Sequence, residues 1–546
     1  MKQLQELYQK ILDEGVESVD RTGVGTTKLI GQQMRFDLND GFPAVTTKRL
    51  AWKTMVAELL FFIKGIPDRR VMQEFLHGEF NEDKNDIWKG NCVDMKNKNP
   101  LKFNGYNLGN MYPVYWRRMY KPVPKTVKVK RKKDFDFEYI EKYKSFYDDV
   151  EIEKHHKSGQ TFIDIRGDEL EYLGFNGQYE NKRHYLKYKD TGTIIKLNTS
   201  EIDIKHNKLN SGEDYYKKNS VGGYLGAPRE VLSNDPLNSK VQSLWYNMLS
   251  RVKTSPNYNN ISVSPRWYNY YNFLTDIRTI PLFFEWLDDP TYYELDKDYF
   301  GSSVYSRNTC TFLPKHINQK LIRKRNDCAL EVDGILYYSF TCFYKSIYGG
   351  KTQPKDPFTF LENNGHTYII HEETDEYVYR PQLFIDQLET VIENIKHVTL
   401  NENHPAGRRL IMDSWNPSWE DDSVLGICHP FVQFFVVNGK LSCEFYMRSS
   451  DTFLGLPLNI SSYALLTHMI AQITGLEVGE LIYTAGDCHI YKNHIEQVKE
   501  QLQRKPRALP ELWIDPTITD IEDFTMDSFK LINYDPMPTI KAPMAV

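Results

Sequence analysis

The residues with chemistry to offer sit in a few short motifs. GICHPFVQFF sets Cys428 beside His429, ahead of an apolar, strand-like run. A cysteine thiolate is a strong nucleophile, and it forms near neutral pH only with positive charge close by. Positive charge recurs at Arg21, at Arg408–Arg409 and at Arg448, which Ser449 follows. Paired guanidinium groups and a hydroxyl suit bidentate binding of a phosphate. GDCHIYKNH holds His489 and Tyr491 two apart on a strand-like run, so both side chains point to one face. Asn459, in GLPLNISSY, has an amide that donates and accepts at once, as reading a base edge requires. Each feature also has a plainer reading. An isolated cysteine is more often a small buried hydrophobe, which is how Cys342 and Cys443 read, and an arginine pair is more often solvated surface.

These residues need elements to hold them. Leu4, Leu7, Tyr8, Ile11 and Leu12 recur at helical spacing until Gly15 stops the run. RTGVGTTKLIGQQMRFDL reads as a glycine-rich turn feeding a strand. LAWKTMVAELLFFIKG is apolar almost all round, which predicts a buried helix, and its Glu58 must be paired or working there. RPQLFIDQLETVIENIKHV predicts an amphipathic helix and SSYALLTHMIAQITG a second buried one.

At 546 residues the chain is too long for one core, so two or three domains are expected. Hydrophobic content of 40% and charged content of 26% are those of a folded globular protein. A net charge of −5 gives no global attraction to nucleic acid or membrane, so such a contact needs a local patch. Seven scattered cysteines without a CxxC pair argue against a disulfide framework or a structural zinc site. No window approaches the roughly 20 apolar residues of a membrane span, and MKQLQELYQKILDEG has no signal-like apolar block. A cytoplasmic location and no membrane partner are the expectation.

The texture changes near residue 120. KPVPKTVKVKRKK (121–133) has seven positive charges, two prolines and no acid, which predicts a linker or basic arm rather than a core element. From 134 to about 380 the chain is rich in Tyr, Asn, Lys and Asp, with short strand-like pieces such as RHYLKYKDTGTIIKL. The dense amphipathic pattern then resumes. The layout is one globular unit in two pieces with a separate unit between them. An intein would need a His-Asn exit before Cys, Ser or Thr; HIN at 316–318 is followed by Gln319, and no such exit lies near 380. The insert is therefore expected to stay in the mature chain.

The outer pieces resemble thymidylate synthase of the phage type. DRTGVGT (20–26), FPAVTTKRL (42–50), AELLFF (57–62), LGNMYPVYWR (108–117), RRLIMDSWNP (408–417), CHPFVQF (428–434), SCEFYMRSSDTFLGLPLNISSYALL (442–466), GDCHIYKNH (486–494) and KAPMAV (541–546) follow that family's order. The resemblance implies an α+β fold of mixed sheets and helices that dimerises through a sheet face, with a small α+β domain inserted. It implies a methyltransferase that turns dUMP into dTMP with 5,10-methylenetetrahydrofolate. Cys428 would attack C6 of dUMP, with His429, Glu58, Tyr112, Asn459 and Asp451 in the catalytic set. The phosphate would meet Arg21, Arg448, Ser449 and, from the partner of a homodimer, Arg408 and Arg409. Asn459 would read the uracil edge while His489 and Tyr491 hold the ribose hydroxyl. Lys48, Trp88, Asp451, Ala545 and Val546 would contact or close over the folate. Asparagine at 459 favours uracil over cytosine, where relatives acting on dCMP carry an acid. A dUMP hydroxymethylase is the nearest alternative, and a DNA-binding or DNA-cutting protein on an inactive synthase scaffold the more distant one. Two departures stand out: Met447 replaces a usual glutamine, and Pro113 follows Tyr112 where the family has Gly-Pro-Val-Tyr-Gly.

The expected domains are 1–119 and 380–546 for the synthase and 120–379 for the insert. The insert divides into a basic arm (120–155), a DNA-binding β module (156–225), an endonuclease-like region (226–330) and a return segment (331–379). SLWYNMLSRVKTSPNYNNISVSPRWYNYYNFL (243–274) and YYELDKDYFGSSVYSRNTCTFLPKHIN (292–318) resemble HNH-type homing endonucleases. That resemblance implies DNA as partner and a divalent metal held by Asp296, Asp298 and Asn308, with His316 and Asn318 downstream. No histidine stands at the LDKD step, where HNH chemistry needs a general base, so a DNA-binding relic is the competing reading. The same Asp and Asn residues also suit a capped turn.

Overall fold

The helical spacing at the N-terminus produces α1 (Lys2–Glu14), which buries Leu4, Leu7, Tyr8 and Ile11. In this computed structural model the described residues are 1–19, 23–120, 126–132, 146–147, 150–178, 181–211, 214–322, 328–348, 353–354 and 356–543. Arg21, Ala545 and Val546 lie outside them. The chain divides into two units, Met1–Pro124 with Gln382–Val546, and Lys125–Pro381.

The first unit is built on a six-stranded sheet. Its strands are β1 (Val16–Ser18), β2 (Thr26–Asp37), β3 (Ile411–Asp413), β4 (Phe431–Val437), β5 (Lys440–Asp451) and β6 (Glu477–Tyr491), in the order β1-β2-β6-β5-β4-β3. Only β5 and β6 run parallel in this sheet. Parallel neighbours need a crossover, and here it is the helix Gly455–Thr474. That helix is apolar almost all round because it packs on β5 and β6 on one side and on the helix Trp52–Lys64 on another. In chain order the helices that position the site are α2 (Trp52–Lys64), α3 (Lys89–Lys98), α4 (Tyr112–Arg118), α5 (Gln387–Leu400) and α6 (Gly455–Thr474). Along β5, Leu441, Cys443, Phe445 and Met447 are buried and alternate with more exposed residues, the period-2 pattern of a sheet with one covered face.

The two pieces of this unit are stitched at the point where the chain leaves it. Met119–Tyr120 pairs antiparallel with Phe384–Ile385, so departure and return lie side by side. Next to that seam, the Arg117 guanidinium meets Asp386 at 2.8 Å and Glu522 at 2.6 Å and donates to Ile63 O at 2.9 Å. One side chain thus ties α4 to α2, to the returning chain and to the C-terminal segment. Gly109 is a further constraint, because its φ is +71° and a Cβ there would collide with the Asp422 carbonyl.

The second unit carries a six-stranded sheet in the order Ile194–Asn198, Arg183–Tyr188, Glu169–Asn176, Thr161–Ile163, Lys208–Leu209, Ile202–Asp203. Phe162, Leu170, Tyr172, Leu186 and Tyr188 form its core. Beyond it come the helix Asn238–Thr254 and a hairpin of Tyr293–Asp296 with Thr311–Pro314 that runs into the helix Lys315–Ile322. The sequence suggested a linker or arm at 121–133, but Thr126–Lys130 is a strand paired with Tyr377–Pro381. The alternation Thr-Val-Lys-Val-Lys explains it, and Lys128 lies over the Tyr377 ring at 3.8 Å. The expected return segment is likewise folded: Ile335–Tyr337, Cys328–Val332 and Tyr368–Glu372 make a three-stranded sheet with Leu330, Val332, Phe343 and Leu361 in its core.

Arg117→Ala removes the cation from between two carboxylates that keep only part of their solvent contact. It is expected to cost about 2–4 kcal/mol, read as a lower urea midpoint for the first unit, while Arg35→Ala, whose ion pair is exposed, costs under about 1 kcal/mol.

Candidate active site

The loop that precedes β4 makes the centre of the site. Cys428 is half-buried there, its Sγ 3.6 Å from Gly426 O. The backbone N–H groups of Cys428 and His429 both donate to the Tyr112 hydroxyl, at 2.9 and 3.3 Å. The Tyr112 ring stacks on the His429 imidazole with centroids 3.9 Å apart and planes 4° from parallel. His429 Nδ1 in turn meets the Tyr463 hydroxyl of α6 at 2.6 Å. Burial drives the His429 imidazole down to about 3, so it is neutral at physiological pH. It cannot be the cation beside the cysteine. Burial raises the Tyr112 phenol well above its ordinary value, and the nearby Cys428 and Glu58 add to the rise.

Arg448, at the end of β5, brings a guanidinium to this loop. Its backbone N–H donates to Cys428 O at 2.9 Å, its Nε donates to Ile427 O, and its guanidinium lies 5.6 Å from the Trp415 ring centre. A Cβ at Gly426 would come within 2.8 Å of Arg448 Nη2, so a larger residue there would displace the guanidinium tip. A cleft of about 570 Å³, bordered by Asp94, Lys98, Glu420 and Gly426, opens beside this loop.

Strand register gathers a second group. Ser449 lies across from Asp487 and Asp451 across from His489 on parallel β5 and β6. His489 Nδ1 pairs with Asp487 Oδ1 at 2.8 Å, Asp487 is met by Lys28 at 3.1 Å, and the Tyr491 ring stands edge-on to His489 at 5.1 Å. His489 and Lys28 hold the Asp487 carboxyl below its ordinary value. Asp451 accepts from the N–H groups of Phe453 and Leu454 at the turn into α6. Lys48 is buried, donates to Phe453 O and sits 3.6 Å from the centre of the Phe453 ring. Burial lowers the Lys48 ammonium to about 8, against the pull of Asp451. Met447 Sδ accepts from Asn459 Nδ2 at 3.5 Å.

Glu58 is the carboxylate the buried helix had to explain. It sits on α2 and accepts from the Trp88 indole N–H at 3.1 Å. Burial pushes its carboxyl up to about 7, so it holds or releases a proton near neutral pH. Arg408 and Arg409 stand apart from this group, exposed before β3 and without an ion-pair partner among the described residues. The sequence reading passed over Tyr463, Trp415, Asp487 and His494. Tyr463 looks like one more apolar residue of a core helix, whereas Asp487 stood in the motif that supplied His489. His494 Nε2 donates to Pro543 O at 2.7 Å and so fastens the chain just short of its end.

In the second unit the expected metal set is not assembled. Among the described residues no group of three or more His, Cys, Asp or Glu side chains could hold a metal ion. Asp298 is engaged by Lys297 at 2.6 Å, His316 Nδ1 by the Tyr292 hydroxyl at 3.1 Å, and Asn318 Nδ2 by Glu294 at 3.0 Å. Asn308 is buried, and its Oδ1 has no partner. Asp296 accepts from the Tyr299 N–H, and its carboxyl is pushed up to about 7, mainly by burial and then by Asp298.

A family model described as thymidylate synthase matches residues 2–155 and 359–546. The chain belongs to the thymidylate synthase family. The match comes in two pieces, as an insertion between them requires. Members use methylenetetrahydrofolate and bind dUMP and folate, and the family includes hydroxymethylases beside methyltransferases. Among the described residues no helix is long and apolar enough to cross a membrane.

The raised Glu58 carboxyl has a consequence for stability. A carboxyl whose folded value lies above its unfolded value of 4.5 favours folding most below 4.5, and that contribution is lost as pH rises through about 7. Glu58→Gln removes the loss. Between pH 5 and 8 the variant is therefore expected to gain about 2 kcal/mol on the native chain, read from urea midpoints across the pH series.

Proposed function

We propose that this chain is a thymidylate synthase in activity as well as in family, converting dUMP to dTMP by reductive methylation. The observation that carries the reading is the half-buried Cys428 beside Arg448, with Tyr112 bonded to the same loop. Arg448 supplies the positive charge a thiolate needs, and its outer nitrogens suit the phosphate of the nucleotide. Cys428 Sγ bonds C6 of the uracil, the electron pair moves to C5, and C5 becomes the nucleophile that takes the one-carbon unit. When the C5 proton leaves, the Tyr112 hydroxyl is the nearby oxygen, and Cys428 is expelled at the end as the ring regains its double bond.

The methylenetetrahydrofolate co-substrate supplies the one-carbon unit and the hydride that reduces it, leaving as dihydrofolate. The residues present fit it. Glu58 titrates near neutrality beside the Trp88 indole, and Lys48 and Asp451 share the turn at Phe453. Glu58 organises protons at the base, while Lys48, Trp88 and Asp451 meet the folate and Ala545–Val546 close over it, excluding water. Ser449 and Arg21 join Arg448 at the phosphate, Asn459 reads the uracil edge, and His489 with Tyr491 holds the ribose hydroxyl. Arg408 and Arg409, exposed and without an ion pair, complete the phosphate site of a partner protomer in a homodimer.

The inserted unit is read as a DNA-contacting passenger. A cavity of about 300 Å³ between the helix Asn238–Thr254 and the hairpin at 293–314 is lined by Lys240, Arg251 and Lys315 with Trp286 and Tyr293. Cations and aromatic rings along one cavity wall suit phosphate and base together.

The test is the rise in absorbance at 340 nm as dihydrofolate forms from dUMP and methylenetetrahydrofolate. The native chain is expected to give the rise and Cys428→Ser to lose it by at least about a thousandfold. Accumulation of 5-hydroxymethyl-dUMP without the rise would make the chain a hydroxymethylase instead, and no product from either route would refute the reading.

A further inference from the structure

The way Asn459 is held bears on which bases the site accepts. Its side chain makes one hydrogen bond among the described residues, from Nδ2 to Met447 Sδ at 3.5 Å. Met447 is buried on β5, one residue before Arg448, and Asn459 stands in the second turn of α6, so the pair bridges strand and helix beside the phosphate cation. A thioether is a weak acceptor and no donor at all. It favours the amide with Nδ2 toward sulfur, but only slightly over the amide turned by 180° about its last bond.

The two orientations read different bases. With Nδ2 toward Met447, Oδ1 and the second N–H present an acceptor and a donor that match N3–H and O4 of uracil. Turned over, the same amide offers its donor to N3 of cytosine and its acceptor to the 4-amino group. A site that selects uracil strictly must therefore penalise the turned amide. A carbonyl acceptor in place of the sulfur would impose a full hydrogen bond's worth of penalty, plus repulsion between two oxygens. Among the described residues nothing comparable holds Asn459.

We propose that Met447 is a specificity-setting positioning residue that leaves Asn459 free to turn, so that the nucleotide site also binds cytosine deoxynucleotide monophosphate as a competing ligand. The inference rests on the reading of this pocket as a dUMP site. It concerns binding rather than turnover, since the methyl transfer is not needed to test which base the amide accepts.

The experiment is equilibrium dialysis of the full chain with dUMP and with dCMP, for the native protein, Met447→Gln and Met447→Leu. The native chain is expected to bind dCMP within about tenfold of dUMP. Met447→Gln, which gives Asn459 a full amide hydrogen bond in place of a weak one, is expected to move the ratio by about fivefold or more. Met447→Leu keeps the volume without any acceptor and is expected to narrow it. A structural defect alone would weaken both nucleotides together and leave the ratio where it was. A ratio unmoved by either variant, or a native preference for dUMP above about a hundredfold, overturns the proposal. If the native chain binds neither nucleotide, the dUMP reading itself fails, and this is distinguishable because no ratio exists to compare.

Discussion

Two backbone amides, at Cys428 and His429, are the constraint around which the site is arranged. They lie in a loop where no strand can pair them, and a buried N–H without an acceptor costs about as much as a lost hydrogen bond. The Tyr112 hydroxyl accepts from both. That makes the first residue of α4 part of the cysteine loop, and it makes the placement of α4 a condition of the site. Everything that fixes α4 then acts on Cys428 at one remove: the stack of Tyr112 on His429, the packing of Phe62 on Tyr112 at 4.9 Å, and the Arg117 ion pairs at the other end of the helix.

The same helix explains how a guest of this size is carried. The site hangs from the N-terminal end of α4, and the chain departs from its C-terminal end. Arg117 binds Asp386 of the returning segment, and Met119–Tyr120 pairs with Phe384–Ile385, so the first unit closes its own gap within a few residues of where it opens. Closing a long loop between points already held adjacent costs only the slowly growing entropy of the loop, and a folded insert whose own ends are paired, as Thr126–Lys130 and Tyr377–Pro381 are, lowers even that. The insertion point is tolerable because the seam is fastened on both sides of it.

How much of this was legible in the sequence depended on whether a residue's neighbours lie along the chain or across it. The buried helices α2 and α6 and the strand that carries His489 were readable, because periodicity and caps are local. So was the change of texture near 120. Glu58 drew notice because a carboxylate in an apolar helix is costly anywhere, and the structure supplies the reason in Trp88. What could not be read were pairings between distant segments. Tyr463 looks like core until its hydroxyl meets His429, 34 residues away in sequence. Thr126–Lys130 looked like a tether because its partner strand lies some 250 residues on, at the far end of the same unit. Of the expected metal set Asp296, Asp298 and Asn308, Asp298 is met by its chain neighbour Lys297, and among the described residues no group of three His, Cys, Asp or Glu side chains stands ready for a metal.

Burial also sorts the ionisable groups of the site by what each is able to do. His429 is enclosed and cannot be charged, so despite its place next to the cysteine it serves the fold, as a stacking plane and a hydrogen-bond partner. Glu58 is enclosed less completely, with one indole N–H to steady its anion, and comes to rest near neutrality, where a carboxyl exchanges protons most readily. Arg448 stays exposed, with its Nε fixed to the loop by Ile427 O. His429 lies in the loop, Arg448 on β5 and Glu58 on α2, and the three differ in how much water each retains. The fold thus sets a neutral plane, a titrating acid and a cation side by side, and it separates them by depth.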